Sequence, residues 1–127
     1  MEETKIELPI LPEHPLLSIN KLMSEHWRTR QKSSKYWRKA GKKVSENLPE
    51  MQPPVECHVY IYRARGGRYD PGNYYPTAKA ILDGIVDDGI LADDSHEYLD
   101  GPHLHHGGID RNNPRLEIFF SPYERKK

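Results

Sequence analysis

From Val55 to Arg63 the chain alternates without a break, with Val55, Cys57, Val59 and Ile61 on one side and Glu56, His58, Tyr60 and Tyr62 on the other. A period of two is the mark of a strand with one packed face and one wetter face. The residues that follow predict how the packed face is covered. Arg65-Gly66-Gly67-Arg68-Tyr69-Asp70-Pro71-Gly72-Asn73 is a run of turn formers. Pro76 then suits the first turn of a helix whose apolar face is Ala78, Ile81, Leu82, Ile85 and Val86, and Gly89 is placed to stop it.

The remaining segments extend this unit. Thr4 to Ile10 reads as a strand interrupted by Pro9 and Pro12, followed by an irregular lead-in through His14, Pro15 and Asn20. From Ser24, a candidate N-cap, to about Asn47 the pattern is helical, with Trp37, Ala40, Val44 and Leu48 in one apolar stripe. Pro49, Pro53 and Pro54 end that helix. Downstream, a short strand near Glu97 to Leu99 gives way to a glycine- and histidine-rich loop reaching Gly108, and Arg115 to Ser121 alternates again, with Leu116, Ile118 and Phe120 inward. The order strand, helix, strand, helix, strand, strand predicts an α/β fold: one compact domain over residues 1–127, a small mixed sheet flanked by two main helices. The 127 residues hold a single modest core, and with 30% of them charged that core is thin, so oligomerisation is a natural way to bury more. Cys57 has no second cysteine to pair with and belongs to the alternating core face. No run approaches the ~18 apolar residues of a membrane span, and MEETKIELPI lacks the order of a signal peptide, so a cytoplasmic protein with no membrane partner is expected.

Lys and Arg balance Asp and Glu at 19 each, yet the charges are sorted along the chain. Lys21, Arg28, Arg30, Lys32, Lys35, Arg38, Lys39, Lys42 and Lys43 stand against Glu25 alone, whereas Asp83, Asp87, Asp88, Asp93, Asp94, Glu97 and Asp100 run with no basic residue among them. Such a chain can hold a polyanion with one part and a divalent cation with the other; two solvated helix faces of opposite sign are the plainer alternative. Phosphodiester hydrolysis calls for a cation on oxygen ligands. Asp70 stands where the Val55 strand turns, Asp93 and Asp94 follow the second helix, and Lys79, Asp83 and Asp87 recur along that helix at steps of four. Lys79 is then placed to stabilise a scissile phosphate or a leaving oxygen. Taken alone, Asp-Asp-Ser after a helix is also an ordinary solvated turn.

Read together, DPGNYYPTAKAILDGIVDDGILADDSHEY resembles the core motif of the RusA family of Holliday-junction resolvases: Asp-x-Asp-Asn, a Lys shortly after, an Asp four residues beyond it, then an Asp-Asp pair. SINKLMSEHWRTRQKSSKYWRKA is similar to that family's basic, Trp- and Arg-bearing helix, and the two segments span about two fifths of the chain. The resemblance implies a RusA-like homodimer that cuts branched DNA with magnesium, or manganese in its place, in bacterial recombination or phage DNA processing. It assigns catalysis to Asp70, Asp94 and Lys79, metal ligation to Asp70, Asp83, Asp93 and Asp94, and DNA contact to Arg28, Arg30, Lys32, Lys35, Arg38, Lys39, Arg65, Arg68 and Asn73. Two departures stand out. Gly72 occupies the place of the motif's second aspartate, and three extra residues within Tyr74–Thr77 separate Asn73 from Lys79. The loss of one ligand leaves open a catalytically impaired, junction-binding dimer of the same fold, and a third reading is an interaction protein with no DNA role.

Other residues carry less. His103, His105 and His106 fit no closed structural zinc pattern and read as an exposed loop. Trp37 is in register with the helix core, whereas Trp27 suits either core or stacking on unpaired bases. Gly66-Gly67 is too short for a phosphate-binding glycine loop, which argues against a nucleotide cofactor.

Overall fold

The computed structural model describes residues 3–19 and 27–123; Lys21, Ser24 and Glu25, with the N-cap expected at Ser24, lie outside the described residues, as does the side chain of Trp27. The elements are β1 (Thr4–Pro9), α1 (Trp27–Ser45), β2 (Val55–Arg63), a 3-10 turn (Pro71–Tyr74), α2 (Tyr75–Asp87), β3 (Leu99–Ile109) and β4 (Arg115–Pro122). They form a mixed four-stranded sheet in the order β1-β4-β2-β3, in which β4 runs antiparallel to both β1 and β2 and β3 runs parallel to β2. This is the predicted α/β class, a small mixed sheet with two helices. Among the described residues no helix is long and apolar enough to cross a membrane.

One face of the sheet is packed. Val55, Cys57, Val59 and Ile61 of β2 join Leu116, Ile118 and Phe120 of β4, Ile6 and Leu8 of β1, and the α2 face of Ala78, Ile81, Leu82 and Ile85. Trp37 of α1 is fully buried in the same core, and its Nε1 donates to the Pro15 carbonyl at 3.1 Å, so its one polar atom is satisfied. The helices approach closely where they cross: a Cβ on Gly41 would meet the Ile81 carbonyl, and one on Gly84 the Arg38 carbonyl. Backbone packs directly on backbone there, and only glycine leaves room.

The chief departure from expectation is β3. The segment read as a glycine- and histidine-rich loop is an eleven-residue strand paired with β2. Its glycines serve the ladder as irregularities. The β2–β3 register shifts between Glu56 and His58 and again between Ile61 and Tyr62, each time leaving one extra residue on β3. Gly101 at φ 122° and Gly108 at φ 155° supply the unusual backbone angles at these two bulges. A period-two pattern interrupted twice no longer reads as a strand, although parallel pairing holds it as one.

The loop between β1 and α1 is fastened to the start of α2. The buried Thr77 hydroxyl accepts from the Leu17 N–H at 2.7 Å and donates to the Leu17 carbonyl at 2.9 Å, while the Ile19 N–H donates to the Asn73 carbonyl at 2.7 Å. These bonds fix the backbone on one side of the turn that begins at Asp70.

Candidate metal and nucleic-acid site

Asp70 caps the 3-10 turn. Its backbone is extended at φ −104° and ψ 116°, its Oδ1 accepts from the Gly72 N–H at 2.9 Å, and its carbonyl accepts from the Asn73 N–H at 3.0 Å. Pro71 presets the first turn position. The Asp70 carboxylate is therefore exposed and directed by its own turn. Asn73 is half-buried beside it.

Lys79 stands one turn into α2. Its ammonium donates to Asp83 Oδ1 at 2.9 Å, the pair expected from their four-residue spacing, and also to Asp94 Oδ2, fifteen residues away. The chain folding back after α2 thus brings Asp94 onto the helix. Burial alone would lower the Lys79 pKa, but hydrogen bonds and charge from Asp94 and Asp83 outweigh it and raise the pKa above the usual lysine value. Asp93 is turned to local work, its Oδ1 accepting from the Asp94 N–H at 2.8 Å. Of the expected ligands, Asp83 and Asp94 are brought together with Lys79, whereas Asp70 and Asp93 each hold a turn. Among the described residues no group of three or more His, Cys, Asp or Glu side chains is arranged to hold a metal ion.

Asp87 leaves the Lys79 row and serves α1. Arg38 grips it through two bonds, Nε to Oδ2 at 2.6 Å and Nη2 to Oδ1 at 2.9 Å. Arg38, expected to contact DNA, is thus engaged in a bidentate pair that ties α1 to α2. The hydroxyl of buried Ser45 donates to Asp88 Oδ2 at 2.9 Å and makes a second tie. Lys32, Lys35, Lys39 and Lys42 line one exposed groove with Tyr36 and Arg38, Arg28 is exposed nearer the start of the helix, and Arg30 is half-buried.

A second group lies at the end of β2. The Arg63 guanidinium sits 4.1 Å over the Tyr69 ring, Tyr69 hydroxyl meets His106 Nδ1, and Tyr74 lies at 6.0 Å from Tyr69 between ring centroids. Burial pushes the Tyr69 phenol up despite the opposing Arg63 charge. Arg65 and Arg68 are exposed on the connecting turn. Sequence reasoning missed Arg63, Tyr69 and His106 as a unit, because what joins them is the pairing of β3 with β2.

The face of the sheet away from the helices carries an imidazole cluster. His58 Nδ1 and His105 Nε2 lie 2.8 Å apart, His58 Nε2 lies 3.3 Å from Glu56, and His103 is bonded to Asp100 at 2.9 Å. The expected exposed loop of histidines is in fact part of this ladder. Burial, followed by the neighbouring His58 and His103, lowers the His105 pKa. On the packed face, burial pushes the Cys57 thiol up to about 12, which keeps it protonated and inert.

No protein-family model matches the chain, and no curated protein matches it.

Proposed function

We propose that this chain is a magnesium-dependent, structure-selective endodeoxyribonuclease of the RusA type, a cytoplasmic homodimer that cuts branched DNA by paired nicks in recombination or phage DNA processing. The observation that carries this reading is the convergence of Asp83 and Asp94 on one point of α2, one helical turn from the Arg38–Asp87 link to the basic helix. A carboxylate pair that already attracts one cation, tied to the basic helix, supports a metal site working beside a phosphate-binding surface.

Two carboxylates suit magnesium, which takes one or two from a protein and completes its shell with water and phosphate oxygens. Asp94 and Asp83 would hold the ion, with Asp93 and Asp70 on the adjoining turns. Bound there, the ion supplies a water of lowered pKa and offsets charge developing on the phosphate. Manganese accepts the same oxygen donors and is expected to substitute. Lys79, once freed from the two carboxylates, directs its ammonium at phosphate oxygens, where the phosphate charge takes over from Asp83 and Asp94 in favouring the protonated form. Arg28, Arg30, Lys32, Lys35 and Lys39 hold the sugar-phosphate backbone without reading sequence. Arg65, Arg68 and Asn73 contact the strand nearest Asp70. One site cuts one strand, so paired cuts across a two-fold junction require two copies related by a two-fold axis.

The test is a labelled four-way junction incubated with and without magnesium beside a linear duplex of the same sequence, resolved on native and denaturing gels. Symmetric paired nicks confined to the junction are expected; absence of both binding and cleavage at low salt overturns the reading. One observation favours the alternative of a junction-binding dimer without chemistry: the Lys79 ammonium already occupies the carboxylate pair, and Gly72 offers no further acid. A Cβ at Gly72 would start 3.3 Å from Asp70 Oδ1, so Gly72→Asp sets a second carboxylate beside the first. Cleavage gained from an inactive parent supports the binding-only form, and an active parent defeats it.

A further inference from the structure

We propose that the groove between the β1–α1 loop and the end of β2 is a pocket for one unpaired nucleotide of the DNA branch, taken up next to the cleavage site. The proposal rests on the nuclease reading above and names the part of the substrate that the groove selects.

The groove is open to solvent and holds about 550 Å³, within the ~300–1,000 Å³ span of small-ligand pockets. Its floor is apolar, built from Ile10, Leu11 and Leu16 of the loop that Thr77 fastens in place, with Pro114 ahead of β4. Three arginines, Arg63, Arg65 and Arg111, share its lining with Tyr74, and no carboxylate does. Arg65 and Arg111 are exposed and have no ion-pair partner among the described residues. Arg63 differs from them: its guanidinium is already stacked on Tyr69 while it also lines the groove.

Each feature answers to one part of a nucleotide. An apolar floor and a guanidinium plane held against an aromatic ring receive a flat base, since bases stack on aromatic rings and arginine alike. The cationic rim receives the phosphate attached to that base. An acidic peptide would satisfy the rim and leave the stacking platform unused. A fully paired duplex keeps its bases inside the stack and presents none to the groove, whereas a branch point frees them at small cost. Tyr74 ends the turn that Asp70 caps, so a base held here lies beside that carboxylate's turn.

The probe is a pentathymidylate with one central 5-iodouracil, photo-crosslinked to the full chain in magnesium-free buffer and mapped by peptide mass spectrometry. Crosslinks are expected at Tyr74, the aromatic residue that lines the groove. Arg111→Ala should lower the ratio of pentamer affinity to blunt-duplex affinity by roughly tenfold, the effect of removing one charged contact. Crosslinks confined to α1, or equal weakening of pentamer and duplex, overturn the pocket. A protein that cuts junctions but gives such a result loses the pocket and keeps the nuclease reading. One that captures the pentamer at Tyr74 yet cuts no junction keeps the pocket and loses the nuclease. Binding of an acidic peptide in competition with the pentamer at equal affinity would also defeat the nucleotide assignment.

Discussion

Replacing Lys79 by methionine keeps the length of the side chain and deletes the charge that Asp83 and Asp94 share. Two opposed effects follow. The carboxylates become freer to take magnesium, so half-maximal cleavage should need less of it. The phosphate loses an electrostatic partner, so the maximal rate should fall by ~10²–10³-fold. A magnesium titration of junction cleavage separates the two, and an unchanged maximal rate would remove Lys79 from the chemistry. Asp94→Asn should abolish cleavage and leave junction binding intact on the same gels. At the other face of the sheet, His105 has a folded-state pKa below its ordinary value of 6.5. The unfolded chain then binds the extra proton more readily, so the stability this site contributes is present above about pH 6.5 and is lost as pH falls below it. Urea unfolding followed from pH 7.5 to 5 should show this slope, and His105→Gln should flatten it. At this scale the sequence was informative where partners are near neighbours: Lys79 and Asp83 are four apart on one helix. Asp94 was legible as a carboxylate following the second helix, though not as the partner of Lys79, and the His58–His105 contact was not legible, because it depends on a cross-strand register shifted by a bulge.

The elements were legible in proportion to how much of their pattern is local. β2 alternates without interruption and was foreseen at both ends; β3, broken by Gly101 and Gly108, exists because β2 offers it a parallel edge. The helix crossing was equally hidden, since a glycine in a helix reads as a weakness when its neighbour is unknown. Gly84→Ala would gain roughly 1 kcal/mol in an open helix. Here the new Cβ meets the α1 backbone, and overpacking of this kind costs about 1–3 kcal/mol, so a net loss of roughly 3–6 °C in melting temperature is expected. A higher melting temperature would mean that the helices do not cross there. Thr77→Val preserves shape and strips both bonds from the Leu17 backbone. It should cost about 2 kcal/mol in urea unfolding, with the backbone around Leu17 loosening first in hydrogen exchange.

For the molecule as a whole, net charge of zero conceals a basic side built by α1 and an acidic stretch running from α2 to the start of β3. If α1 neutralises several phosphates, junction affinity should fall by a factor on the order of hundreds between about 50 and about 200 mM salt, measured by anisotropy. Affinity indifferent to salt would exclude α1 as the DNA surface. The composition concealed this division and the order of charges along the chain disclosed it, whereas the direction in which each side faces came only with the fold. The crossing of α1 and α2 has a mechanical consequence. Helices whose backbones touch at Gly41 and Gly84, and which are clamped by Arg38 on Asp87, have no room to slide past one another. They behave as one rigid bar that joins the basic residues of α1 to Lys79 and its carboxylates on α2. Under the proposed nuclease reading, strain in a bent DNA arm held by α1 would reach Lys79 and its carboxylates as torque, and the stiffness of the branch would become a quantity the protein can sense.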